Sequence, residues 1–109
     1  DLKAEMSHFV SERAWDKFHN PKNVSMSIAI EAAELMEIFQ WLDMEKAKEL
    51  IDDEERYQHI KEELADILAY TMSLANFLKI DIASAFRMKM AHNRKKYPIE
   101  DVYGAWKGA

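Results

Sequence analysis

The chain has 109 residues, the usual length of one domain, and its 49% hydrophobic and 32% charged residues are typical of a folded globular protein. Its net charge of −5 argues against a nucleic acid polymer as partner, and no apolar run reaches the ~18 residues of a membrane span. The lack of cysteine excludes disulfides, thiolate metal sites and a cysteine nucleophile. It also favours a reducing compartment, so we predict a cytoplasmic location. The sequence begins at Asp1 and therefore carries no information on targeting residues upstream.

Glycine and proline are both rare, with two residues of each, and Gly104 and Gly108 both lie in the last six positions. Phosphate-binding turns of the P-loop and dinucleotide types are excluded, because they need glycine where the backbone approaches phosphate. A sheet protein with many hairpins is disfavoured for the same shortage of turn residues. The composition therefore predicts an all-α protein.

Hydrophobic periodicity predicts four helices in one domain, with a core over about residues 2–98 and a short aperiodic tail over 99–109. Asn20 and Pro21 end the first helix, and Asp81 is the predicted N-cap of the fourth. The predicted helices cover residues 2–19, 24–42, 54–78 and 82–97, with a short helical piece at 44–51.

The third predicted helix is apolar on nearly all sides between Leu64 and Leu78. Such a helix must be covered in most directions, and one small four-helix bundle covers it incompletely. We therefore predict a four-helix bundle that assembles as a homo-oligomer, at least a dimer.

Two acidic motifs lie on different predicted helices, Glu31-x-x-Glu34 and Glu63-x-x-Asp66. Residues three apart share a helix face, so each motif presents two carboxylates side by side. The alternative is a solvated acidic surface. Against it, no Lys or Arg occurs in residues 24–45 or 62–78, and Asp66 lies among apolar residues where a lone carboxylate would be costly to bury. We predict that a cation is bound among the four acids.

The donor set consists of oxygen ligands, which suits Mg²⁺, or Mn²⁺, better than zinc or copper. The histidines show no zinc spacing, and a di-iron bundle would need two Glu-x-x-His motifs where this chain has one, Glu5-x-x-His8. Because Mg²⁺ usually completes its coordination shell with water and substrate phosphates, a phosphorylated substrate is predicted.

Lys89, Asn93 and Lys96 follow a single stripe of the fourth helix and are candidates for binding phosphate. The alternative is that the cations only complement the helix dipole. Trp15, Trp41 and Tyr70 are candidates for stacking on a nucleobase, and the alternative for each is a core or interface position.

These motifs together resemble one known family over residues 9–98. The match is carried by four segments in order: Glu12-Arg13-x-Trp15-x-x-Phe18-His19-x-Pro21-x-Asn23, Glu31-x-x-Glu34-x-x-Glu37-x-Phe39-Gln40-Trp41, Glu62-Glu63-x-x-Asp66, and Lys89-x-x-x-Asn93-Arg94-x-x-Tyr97-Pro98. The chain resembles the all-α nucleoside triphosphate pyrophosphohydrolases of the MazG-like superfamily, and within them the dCTP pyrophosphatase branch.

The resemblance implies hydrolysis of the α–β phosphate bond of a nucleoside triphosphate, in the control of nucleotide pools, by a homo-oligomer that is often a tetramer. One departure leaves the base open between dCTP and a related deoxynucleotide: Met6 stands where the branch has a pocket histidine. The implied roles are Mg²⁺ binding by Glu31, Glu34, Glu63 and Asp66, a base and sugar pocket of Trp15, Phe18, His19, Trp41 and Tyr70, and phosphate binding by Lys89 and Asn93. From the charges, we predict that an acid not fully engaged by metal, Glu34 or Glu37, accepts the proton of the attacking water.

Two other function classes are weighed against this hydrolase. One is a nucleotide-binding or sensor module without catalysis, which would need fewer than four carboxylates. The other is a structural helical protein whose apolar helix serves assembly alone, and it predicts no thermal stabilisation by nucleotide and Mg²⁺.

Overall fold

A computed structural model describes residues 1–105, and all the regular structure in that range is helical. This confirms the all-α class. None of the helices in this range is both long and apolar enough to cross a bilayer. The helices are α1 (Leu2–Glu12), α2 (Pro21–Phe39), α3 (Met44–Glu49), a 3₁₀ turn (Leu50–Asp52), α4 (Glu54–Leu78), α5 (Ile82–Lys96) and α6 (Ile99–Val102).

Short polar side chains begin the helices. Asp53 accepts a hydrogen bond from the backbone N–H of Arg56 at 3.2 Å, and Asp81 accepts one from the N–H of Ser84 at 3.1 Å. Each cap satisfies a donor that the first helical turn leaves without a partner. The prediction of Asp81 as an N-cap is confirmed.

The end of α1 differs from the prediction of a helix over residues 2–19. The helix ends at Glu12, because Ala14 adopts the left-handed conformation with φ +53°. The N–H of Trp15 then bonds to the carbonyl of Val10 at 3.1 Å, and the N–H of Ala14 bonds to that of Ser11 at 3.0 Å. This is the Schellman pattern of a helix C-terminus, built here without the usual glycine. The turn brings Trp15 back beside α1.

The other boundaries follow the prediction with smaller shifts. The second helix starts and ends three residues earlier than predicted, since Pro21 fits the first helical turn, where its missing N–H is not needed. The third long helix has the predicted bounds. In the tail, predicted to be aperiodic, α6 forms four residues of helix, too few to show a period. The last four residues of that tail lie outside the described range.

The chain divides into two compact units, Asp1–Lys79 and a second that begins at Ile80. In the first, the most extensive helix contact is between α2 and α4, followed by α1 with α4. The second contains α5 and α6. A single domain built as a four-helix bundle stays a prediction.

The first unit buries few apolar side chains in one copy of the chain. Its buried apolar residues are Val10, Val24, Leu50 and Ala75. On α4, by contrast, Leu64 and Phe77 are each 52% exposed. Much of the apolar surface of α4 is therefore left uncovered within a single chain.

Candidate active site

A cluster of acidic side chains forms where α2 packs against α4. Glu31 of α2 and Glu63 and Asp66 of α4 each contribute a carboxylate oxygen, and these three oxygens lie within 4.8 Å of one another. Glu63 is buried, Glu31 is half-buried and Asp66 is exposed. The i, i+3 spacing places the two α4 acids on one face, and the contact between the helices adds Glu31 from the other side. The predicted convergence of both acidic motifs is therefore present in the structure.

The carboxyl groups in this cluster strongly influence one another. The pKa of Glu31 is raised, first because its protonated form hydrogen-bonds to Glu63, then by burial and by the charges of Glu63 and Asp66. The pKa of Glu34 is raised too, chiefly by a hydrogen bond to Glu31 and by its charge. Glu37 adds a smaller repulsion that raises the pKa of Glu34 further. All five acids thus belong to one region of negative potential.

Two oxygen atoms in the cluster fit a role in metal binding. Oε2 of Glu31 and Oε2 of Glu63 are both buried and accept no hydrogen bond. Buried polar atoms without a partner are costly, and carboxylate oxygens facing one another are stabilised by a proton or a cation. The donor set consists of oxygen atoms, as hard divalent cations such as Mg²⁺ and Mn²⁺ prefer. Glu34, the fourth predicted ligand, lies outside the set of three close oxygens.

An aromatic cavity of about 600 Å³ adjoins the cluster at Asp66. Its walls include Trp15, His19 and Tyr70, three residues that the sequence predicted for a base pocket. The His19 ring is stacked between the other two, with centroids 6.4 Å from Trp15 and 6.1 Å from Tyr70. A cavity of this size with flat aromatic walls can hold a nucleobase and a sugar.

Neighbouring side chains hold these rings in place. Nδ1 of His19 lies 2.9 Å from the hydroxyl of Ser73, a buried residue of α4. The ring of Phe9 meets that of Trp15 edge to face at 5.8 Å, and the guanidinium of Arg13 lies 3.9 Å from the centre of the Phe9 ring. Met6 lines the same cavity.

A second cleft, of about 580 Å³, adjoins the cluster at Glu63. Trp41 lines this cleft and not the aromatic cavity, and it is 87% exposed. The cleft also contains Arg56 and His59, which the sequence analysis did not single out. For His59, the sequence did contain a signal: its i, i+4 spacing from Glu63 on one helix places the two side chains next to each other. The remaining wall residues are Glu34, Glu37, Ile38 and Leu42.

The remaining predicted binding residues are Phe18 and three residues of α5. Phe18 is 56% exposed, is not among the walls of the aromatic cavity, and lies 5.1 Å from the ammonium of Lys17. Lys89, Asn93 and Lys96 all belong to α5, where the spacing i, i+4, i+7 keeps them on one face. Their role toward phosphate stays a prediction.

Comparison with known proteins identifies the class to which this fold and acidic site belong. Residues 26–107 match the MazG-like family, and the chain therefore belongs to that family. The resemblance predicted from the four sequence segments is confirmed.

Among curated proteins, the chain is 37% identical to dCTP pyrophosphatase 1 of Bos taurus over 100 residues, which is 91% of this chain and 59% of that protein. It is 36% identical to dCTP pyrophosphatase 1 of Homo sapiens over 99 residues, 90% of this chain and 58% of that protein. The chain thus spans less than two thirds of the length of these relatives.

Among solved structures, the chain is similar to a crystal structure of a pyrophosphatase from Archaeoglobus fulgidus. The TM-score is 0.80 at 40% identity, and the match covers 87% of both chains.

Proposed function

We propose that this protein is a Mg²⁺-dependent nucleoside triphosphate pyrophosphohydrolase that cleaves the α–β phosphate bond and releases a nucleoside monophosphate and pyrophosphate. The observation that carries the proposal is the position of Asp66, which belongs both to the acidic cluster and to the wall of the aromatic cavity. One residue thereby connects a cation site with a pocket of nucleoside size. The names of the relatives agree with this assignment.

In the proposed mechanism Glu31, Glu63 and Asp66 hold the ion, with Glu34 as a fourth ligand or as a base. When bound, Mg²⁺ neutralises the triphosphate and lowers the pKa of a bound water. Glu34 or Glu37 accepts the proton of the water that attacks the α-phosphorus, and the bridging oxygen leaves with pyrophosphate. Lys89, Asn93 and Lys96 bind the phosphates and stabilise the charge on the leaving group.

We propose dCTP or a related deoxynucleoside triphosphate as the substrate. Trp15, His19 and Tyr70 stack against the base and sugar, and Met6 adds an apolar contact at the position of the family's histidine. We also propose a homo-oligomer, because the exposed apolar surface of α4 needs a cover. A cytoplasmic location stays a prediction from composition.

The proposal is tested by measuring pyrophosphate release from a panel of common and base-modified deoxynucleoside triphosphates, with Mg²⁺ and with EDTA. We expect Glu63→Gln and Asp66→Asn each to lower turnover by more than about 100-fold. Even residues that only hydrogen-bond to a metal ligand change metal affinity or activity by about 10- to 100-fold when they are mutated. Glu62→Gln is the matched control, because Glu62 is exposed and its carboxylate accepts from Gln58 at 3.3 Å.

Turnover that survives both cluster variants would contradict the assignment of the metal site. Thermal stabilisation by nucleotide without any turnover would favour the non-catalytic binding module instead. If neither turnover nor stabilisation is found, the structural helical protein is the better account.

A further inference from the structure

The two carboxylate oxygens of Glu63 have different surroundings. Oε1 lies 3.2 Å from Nε2 of His59, while Oε2 is buried and accepts no hydrogen bond. The Glu63 side chain is 11% exposed and the His59 side chain 55%. The histidine therefore reaches the buried acid from the solvent side, one helical turn before it on α4.

The contact between His59 and Glu63 needs no charge on the imidazole. At this distance a neutral ring with its proton on Nε2 is able to donate a hydrogen bond to Oε1, and such a bond would fix the rotation of the carboxylate about its last torsion. The oxygen left without a donor is the buried one, Oε2, and Glu63 itself belongs to the acidic cluster.

Arg56, which lines the same cleft, does not share this role. The Nε atom of Arg56 lies 3.7 Å from Asp53, the N-cap of α4, and its guanidinium is more than half exposed. Of the two side chains, His59 is the one that lies beside Glu63.

We propose that His59 is a positioning residue for the metal site. It holds Oε1 of Glu63 so that Oε2 stays directed at the ion shared with Glu31 and Asp66. This inference rests on the proposed function for the identity of the site, and its test uses metal affinity, which is measured without substrate.

The test measures Mn²⁺ affinity by electron paramagnetic resonance of the free ion in wild type, His59→Ala and His59→Gln. We expect His59→Ala to weaken Mn²⁺ binding by about tenfold. This is the lower end of the roughly 10- to 100-fold loss of affinity seen when a residue that hydrogen-bonds to a metal ligand is removed. His59→Gln keeps an N–H donor and is expected to recover most of this loss. In steady-state assays, His59→Ala should raise the Mg²⁺ concentration needed for half-maximal rate, with kcat at saturating Mg²⁺ within about threefold of wild type.

His8→Ala is the matched control. His8 and Glu12 form another i, i+4 pair, with Nε2 and the carboxylate 3.5 Å apart, but both side chains are well exposed and lie outside the cluster. We expect wild-type Mn²⁺ affinity from this variant. A purely structural role for His59 would lower the melting temperature without changing the affinity of the folded protein for Mn²⁺.

An affinity of His59→Ala within twofold of wild type would overturn the inference, and so would an equal loss in His59→Gln and His59→Ala. If His59→Ala does not fold, the His59→Gln variant decides: wild-type affinity supports the role, and a tenfold loss contradicts it. Wild-type protein that binds Mn²⁺ but hydrolyses no nucleotide would contradict the proposed function alone. Wild-type protein that binds no Mn²⁺ would overturn both.

Discussion

The carboxyl groups of Glu31 and Glu34 have pKa values above the ordinary range of glutamate, because each lies beside another acid. A raised pKa in the folded state means that folding increases the affinity for protons. The stabilising contribution of these groups is complete below the glutamate pKa of the unfolded chain and is lost as pH rises through the raised value. Without a divalent ion, these two groups therefore destabilise the fold at neutral pH.

This leads to a prediction on pH dependence. In EDTA, the contribution of the cluster to the melting temperature should fall as pH rises above about 4.3, the unfolded-state value for glutamate. Glu31→Gln removes one of the repelling charges, so its melting temperature should fall less over the same range. At pH 7, Mg²⁺ should raise the melting temperature of wild type but not of Glu31→Gln. Thermal melts at constant ionic strength measure both effects, and parallel curves for the two proteins would contradict the prediction.

A second prediction at the residue scale separates the two tryptophans that were candidates for base stacking, Trp15 and Trp41. Trp15 belongs to the aromatic cavity, while Trp41 lines the cleft on the other side of Glu63. Base stacking on one aromatic residue contributes about 1–3 kcal/mol, so Trp15→Leu should raise KM by about tenfold or more. Trp41→Leu is the comparison variant, and a smaller rise in KM is expected from it. Steady-state kinetics on the best substrate of the panel measures both, and an equal effect would contradict the separation.

The acidic cluster could be predicted from sequence because its signal is local. Two i, i+3 acid pairs without nearby cations already indicate that a counter-ion comes from outside the chain. The separate positions of Trp41 and Trp15 could not be predicted, since they depend on how α1 and α2 lie against α4 and on the turn at Ala14 that precedes Trp15. Periodicity gives the face of each helix but not its partner.

At the scale of helices, two residues other than glycine adopt the left-handed conformation where a helix ends. Ala14 follows α1 with φ +53°, and Lys79 caps α4 with φ +58°. Periodicity predicted the end of α4 correctly and that of α1 wrongly. Apolar residues continue at helical spacing through Ala14 and Phe18, so the pattern hides the turn that the backbone makes there.

Lys79 allows a test of backbone strain away from the active site. A residue with a Cβ atom pays about 1–2 kcal/mol in the left-handed region, and glycine does not. Lys79→Gly should therefore stabilise the protein by up to about 1 kcal/mol, measured as a higher midpoint of urea unfolding. Lys79→Ala removes the same charge but keeps the strain, and it serves as the control. No gain of Lys79→Gly over Lys79→Ala would contradict this account.

At the scale of the whole molecule, the apolar surface that one copy leaves exposed is the main feature. Several large apolar side chains on α2 and α4 are about half exposed, among them Met26 at 50% and Leu64 at 52%. Side chains of this kind are usually buried in a folded protein. The sequence predicted incomplete coverage within one chain, because the third predicted helix is apolar on nearly all sides. It could not predict which side chains the first unit itself covers, because that depends on how α1 and α2 lie against α4.

We predict that the protein is a homo-oligomer in solution and that a charge on this surface weakens assembly. Met26→Lys should shift the molar mass measured by light scattering toward that of the monomer at micromolar concentration. Ser25→Lys places the same charge on the neighbouring exposed position of α2 and should leave the mass unchanged. A monomeric wild type would contradict the prediction.

The acids of the cluster lie on the two helices that make the largest contact in the first unit, α2 and α4. Chelation of the ion would leave unscreened negative charge within that contact, so the loops that flank these helices should be cut more rapidly by a protease in a chelating buffer than in one with magnesium. If the proposed function holds, a bound ion would stabilise the contact between the two helices as well as take part in the chemistry.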